Sequence, residues 1–90
     1  MLARLATFTS KPANLDEANV TLLHETVKAT PGFVAGFHLE DRDTGIAYSL
    51  TVFEDATAAR AAGEALAARP ADKRVGVDPD KVEFLAAHPF

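Results

Sequence analysis

Between Phe33 and Glu40, and again between Gly45 and Phe53, large apolar residues alternate with small or polar ones, the two-residue period of a half-buried β-strand. The segment between them, Asp41-Arg42-Asp43-Thr44 followed by Gly45, has the acidic and glycine composition of a tight turn, so the pair predicts a β-hairpin. A four-residue loop sets Leu39 opposite Ile46, Phe37 opposite Tyr48, Ala35 opposite Leu50 and Phe33 opposite Val52, which gathers the large side chains on one face. A three-residue loop scatters them, because a one-residue slip moves every side chain of a strand to the other face. The second face then carries Val34 with Thr51, Gly36 with Ser49, and His38 with Ala47, small and neutral until Glu40 at the rim.

The flanking segments predict four further elements. Leu2 to Thr9 is a short apolar and β-branched run halted at Pro12, and reads as a first strand. Asn14 with Glu17 three residues later is a capping-box start for a helix that runs to about Thr30, before Pro31-Gly32. At 100° per residue, Leu15, Val20, Leu22, Leu23 and Val27 form its apolar arc, and Asn19 and Thr26 fall inside that arc with His24 at its edge. Asp55 caps a second helix, Ala56 to about Arg69, built of alanine with Leu66 as its large apolar residue. After a polar connection from Pro70 to Asp80, the segment from Lys81 to Ala87 reads as a last strand.

The order β-α-β-β-α-β over residues 1–90 is one α+β domain of the ferredoxin-like type, a four-stranded antiparallel sheet with two helices on one face. Burial by hydrophobicity assigns the helices to the Phe33, Phe37, Tyr48 and Leu50 face. The neutral Gly36, Ser49 and Thr51 face lacks the Lys and Glu of a solvated sheet, and a two-fold homodimer packed sheet to sheet supplies its cover. A chain of 90 residues buries a limited share of its surface, which is a further reason to expect a second subunit.

Charge and composition narrow the function. Nine Lys and Arg against thirteen Asp and Glu, with no basic cluster beyond Lys73-Arg74, leave no phosphate-tracking surface, so nucleic acid is not an expected partner. The absence of cysteine excludes disulfides, thiolate metal sites and cysteine nucleophiles. No apolar run reaches membrane-spanning length and no signal-peptide core opens the chain, which predicts a cytoplasmic protein without a membrane partner.

Three residues are predicted to project between the first helix and the sheet: Asn19, Thr26 and Tyr48, with Leu23, Phe37, Leu50 and Ala62 as apolar walls. An amide at Asn19 can hold a phenolate or carbonyl oxygen to which the Tyr48 hydroxyl donates, a catalytic pair in a small-molecule pocket. A structural role fits the same residues, with Tyr48 in the core and Asn19 and Thr26 bonded to backbone. His38 is placed on the subunit-facing surface, His24 and His88 on the outside. Three scattered histidines with no close carboxylate spacing form no metal motif.

Pro31-Gly32-Phe33, Asp43-Thr44-Gly45, Phe53-Glu54-Asp55 and the alanines from Ala58 to Ala62 occur in the order seen in the dimeric α/β-barrel superfamily. Over these 36 or so residues the chain resembles the antibiotic-biosynthesis-monooxygenase-like proteins. That resemblance implies sheet-to-sheet dimerisation into an α/β barrel, a pocket between helices and sheet, and oxygenation of aromatic or polyketide-like compounds with no metal or other cofactor. It equally implies a non-catalytic ligand-binding or interaction module, since this scaffold hosts several roles. The chain departs from the haem-degrading and quinone-forming members in having no tryptophan, with Phe53 where tryptophan is common, and no histidine in its second helix.

Overall fold

The computed structural model describes residues 1–9, 17–68 and 79–90, with residues 17–20 described through their backbone alone. The elements are β1 (Leu2–Phe8), α1 (Glu17–Lys28), β2 (Phe33–Glu40), β3 (Ala47–Phe53), α2 (Ala56–Ala67) and β4 (Lys81–Ala86). The sheet is antiparallel throughout with strand order β2-β3-β1-β4, the ferredoxin-like arrangement expected from the element order. Asn14, the expected cap of α1, lies outside the described residues.

Local chemistry accounts for the boundaries. The Asp55 carboxylate accepts a hydrogen bond from the Ala58 N–H at 2.9 Å, satisfying one of the orphan donors at the start of α2. Gly32 follows α1 at φ +90°, a backbone state that L side chains avoid, and its carbonyl accepts from the Glu54 N–H at 2.8 Å, tying the start of β2 to the end of β3. At the open end of the sheet, Asp80 accepts from both the N–H and the hydroxyl of Thr9, at 2.7 and 2.8 Å, and holds β4 to β1. Those two bonds stabilise the carboxylate and lower its pKa.

The hairpin turn closes differently from its expected register. Asp41 donates its N–H to the Ile46 carbonyl and accepts the Gly45 N–H, while its side chain accepts from Asp43 and Thr44. The loop therefore opens after Asp41, and the partners are Leu39 with Tyr48, Phe37 with Leu50 and Ala35 with Val52. This is a displacement of two residues, so the predicted company on each face survives for those residues. A register shift between Phe33 and Ala35 then pairs Phe33 with Phe53, which transfers Phe33 to the opposite face.

The faces carry the opposite assignment to the one hydrophobicity predicted. Phe53, 2% exposed, packs against Ala58, Ala59 and Ala62 of α2, with Leu2, Val27 and Phe33 around it. Alternation along β3 places Ser49 and Thr51 on the same side as Phe53, together with Arg4 and Ala6 of β1 and with Gly36 and His38 of β2. The neutral face lies under the helices. Ala35, Phe37, Leu39, Tyr48, Leu50 and Val52 form the outer face, and in the single chain Phe37 is 58%, Leu39 43% and Leu85 45% exposed. Phe53 is the large side chain that the alanines of α2 take into close packing, and beyond it the small residues Gly36, Ser49 and Thr51 leave the depth between helices and sheet open.

Candidate functional site

The same alanines leave a space. Between the helices and the inner face of the sheet lies an open cavity of about 650 Å³, within the size range of small-molecule sites. Leu23 and Val27 of α1 and Ala62, Gly63 and Leu66 of α2 wall it on the helix side, with Phe33 and Phe53 at one end. Its floor is polar: Arg4, Ser49, Thr51 and His38 rise from three neighbouring strands, and Gly36, with no side chain of its own, lets the Phe33 ring lie close to the backbone of β2.

The most reactive groups at the cavity are two histidines. His24 of α1 and His38 of β2 meet with their Nε2 atoms 2.7 Å apart and their ring centroids at 4.9 Å. At that distance one imidazole donates and the other accepts, so a single proton sits between the rings. The donating ring keeps a bare Nδ1. A proton taken up there creates an imidazolium whose Nε2–H is already held by the lone pair of its neighbour, while a second proton on the pair has no acceptor. Loss of water and then the charge of His24 both lower the His38 pKa, which keeps the neutral, proton-accepting form available at neutral pH.

Arg4 is the other charged group in the floor. Burial lowers its pKa, and among the described residues its guanidinium has neither an ion-pair nor a hydrogen-bond partner. Lys28 borders the cavity as well, and no Asp or Glu lies among the described residues that line it. A chain of net charge −4 thus has a locally basic cavity.

The residues singled out in the sequence divide into three groups. Leu23 and Ala62 line the cavity, and Phe37 and Leu50 border it although their register positions direct their side chains to the outer face. Tyr48 pairs with Leu39 and Thr7 on the outer face, so it does not share a site with α1; the inverted faces are the reason. Thr26 donates its hydroxyl to the Leu22 carbonyl at 2.8 Å, the backbone bond of its structural reading. The side chain of Asn19 lies outside what the structure describes. His38, expected at a subunit surface, and His24, expected outside, face each other over the cavity instead. One sequence signal pointed that way: Gly36, His38, Ser49 and Thr51 form a face too neutral for water, and a helix edge carries His24. Among the described residues no group of three or more His, Cys, Asp or Glu side chains is placed to hold a metal ion, and no helix is long and apolar enough to cross a membrane.

No family model matches the sequence, and no curated protein matches it. Solved structures do match it over 99% of its length. One is a Chloroflexus aurantiacus J-10-fl protein described as an antibiotic biosynthesis monooxygenase, at TM-score 0.64 and 10% identity over 94% of that chain. A second is the monooxygenase from the gene ActVA-Orf6 of Streptomyces coelicolor, solved with nanaomycin D, at TM-score 0.61 and 19% identity over 88% of that chain. A third is SnoaB, a cofactor-independent oxygenase from Streptomyces nogalater, at TM-score 0.58 and 21% identity over 91% of that chain. At such identities the likeness is one of architecture: from end to end, this chain has the fold of the antibiotic-biosynthesis-monooxygenase-like proteins.

Proposed function

We propose that the protein is a cytoplasmic homodimer that binds a small hydroxylated aromatic compound between its helices and sheet and oxygenates it without a resident cofactor. The observation that carries this reading is the His24–His38 pair at the edge of an apolar-walled cavity. Oxygenation of this kind needs an electron-rich ring, and removing a phenolic proton supplies one. The bare Nδ1 of the donating imidazole accepts that proton, and the second imidazole holds the resulting cation in place. Overall, the hydroxylated ring and O2 give a quinone and water: one oxygen atom enters a ring carbon as a carbonyl, and the other leaves with the hydroxyl hydrogen and the displaced ring hydrogen. Asn19, on α1, is retained as a candidate to hold the phenolate oxygen, and the catalytic role given to Tyr48 passes to the histidines.

The test is oxygen uptake with hydroxynaphthalenes and related polyphenols, read against quinone formation. Stoichiometric uptake supports the reading. Binding of the same compounds with no uptake supports the ligand-binding role instead, which the lack of tryptophan favours.

The outer face is the proposed subunit interface. Phe37, Leu39 and Leu85 are open to water in one chain, and Leu50 sits at their centre with Leu5 beside it. A second copy packed on that face by a two-fold axis covers the whole patch with its own equivalent. Sedimentation at micromolar concentration is expected to give a dimer, and Leu50→Glu, which buries an unpaired carboxylate in that interface, is expected to give monomer. A wild-type monomer at those concentrations contradicts the interface.

A further inference from the structure

We infer that the ligand of this cavity is an anion, an aromatic carboxylate whose carboxylate group is held by Arg4 with Thr51 and Ser49; the inference rests on the reading of the cavity as a small-molecule site. Three observations converge on it. The Arg4 guanidinium is half-buried on the inner face of β1 and, among the described residues, has no carboxylate or carbonyl to satisfy it. Proteins seldom leave a partly desolvated guanidinium unpaired, because its five donors lose water without return. Its neighbours are hydroxyls. Arg4 is the register partner of Thr51, and Ser49 stands two residues further along β3 on the same face, so a fork of N–H donors and two O–H donors converge on one patch of floor.

The rest of the cavity fits the remainder of such a molecule. Thr51 is flanked by Arg4 on one side and Gly36 on the other, which sets those two positions about 10 Å apart across three strands. A flat ring system has that span, and the missing side chain at Gly36 leaves it room beside the Phe33 ring to lie over the sheet beneath Leu23 and Leu66. His38 stands two residues along β2 from Gly36 and His24 meets it from α1, so a carboxylate at Arg4, on the far side of β3, directs the opposite end of the ring towards the His24–His38 pair. No acidic side chain among the described lining residues opposes an anion, and Lys28 adds positive charge at the border. A bidentate guanidinium–carboxylate contact fixes orientation as well as affinity.

The experiment compares two ligands of equal shape, 6-hydroxy-2-naphthoate, whose hydroxyl lies at the end opposite its carboxylate, and its neutral carboxamide, by calorimetric titration with the wild-type protein and with Arg4→Gln and Arg4→Lys. The carboxylate is expected to bind about tenfold or more tightly than the carboxamide to wild type. Arg4→Gln is expected to abolish that preference while leaving carboxamide binding within about twofold, and Arg4→Lys to restore part of it. Equal binding of the two ligands to wild type, or a preference that survives Arg4→Gln, overturns the anion site and leaves the cavity reading standing. Failure of both ligands to bind overturns the cavity reading and the anion site with it. The wild-type comparison decides the matter even if Arg4→Gln proves unfolded by circular dichroism.

Discussion

Gly32→Ala is expected to lower the free energy of unfolding by about 3 kcal/mol or more, measured by urea titration. Two separate penalties meet at this residue. Its φ of +90° puts an L side chain in the disfavoured left-handed half of backbone space, at a cost of about 1–2 kcal/mol. An added methyl would also stand 2.6 Å from the Ala58 methyl, far inside contact distance. Ala58 is fixed to the α2 backbone and buried, so relief requires the helix to move off Phe53, and overpacking of this kind costs about 1–3 kcal/mol. Gly45 is the internal comparison. It has φ +76° in the hairpin loop and nothing within 4 Å of an added methyl, so Gly45→Ala carries the backbone penalty alone. Equal losses at the two glycines contradict the close approach of α2 to the start of β2 on which the cavity's shape depends.

His38→Ala is expected to reduce turnover of a hydroxynaphthalene about 100-fold, the lower end of what general-base catalysis contributes. His24→Ala removes the hydrogen-bond partner that orients the His38 ring, and a smaller fall is expected. The pH dependence has a definite sign. Burial and the neighbouring His24 set the folded pKa of His38 below its ordinary value of about 6.5, so activity should rise with pH through a point below that value and level off at neutrality. Removing His24 takes away one of the two causes, and the His38 titration followed by NMR should move back towards the ordinary value. Stability follows the same linkage: the unfolded chain binds the proton more readily, so His38 opposes folding as pH falls below about 6.5 and has no such effect above it. Unchanged turnover in both variants contradicts the assignment of the pair as base.

Much of this architecture is written in short-range signals. Asp55 and its hydrogen bond to Ala58, the Pro31-Gly32 break and the Asp41 to Gly45 turn each act within a few residues, so the element order follows from them. Alternation likewise separates Phe37, Tyr48 and Leu50 from Gly36, Ser49 and Thr51. What alternation cannot carry is which of two faces the helices choose. That choice depends on the volume of α2, whose alanines accept Phe53 and leave the space in which His24 and His38 meet. The larger apolar set is then left for another surface to cover. Phe33 shows the same limit on a smaller scale, since the irregularity beside Val34 that moves it to the inner face has no local sequence mark. Tyr48 stands on the outer face for this one reason. His24 and His38, fourteen residues apart on a helix and a strand, become partners only when the faces are known.

The neutral face of the sheet, rather than its apolar face, lies beneath the helices, and the proposed ligand rests on it. Intermolecular nuclear Overhauser effects from bound 6-hydroxy-2-naphthoate test it most directly, because methyl-bearing residues stand on both faces. The structure predicts contacts from the naphthalene protons to Thr51, Leu23, Val27 and Ala62. Contacts to Val52, Leu39 and Leu5 in their place would contradict it.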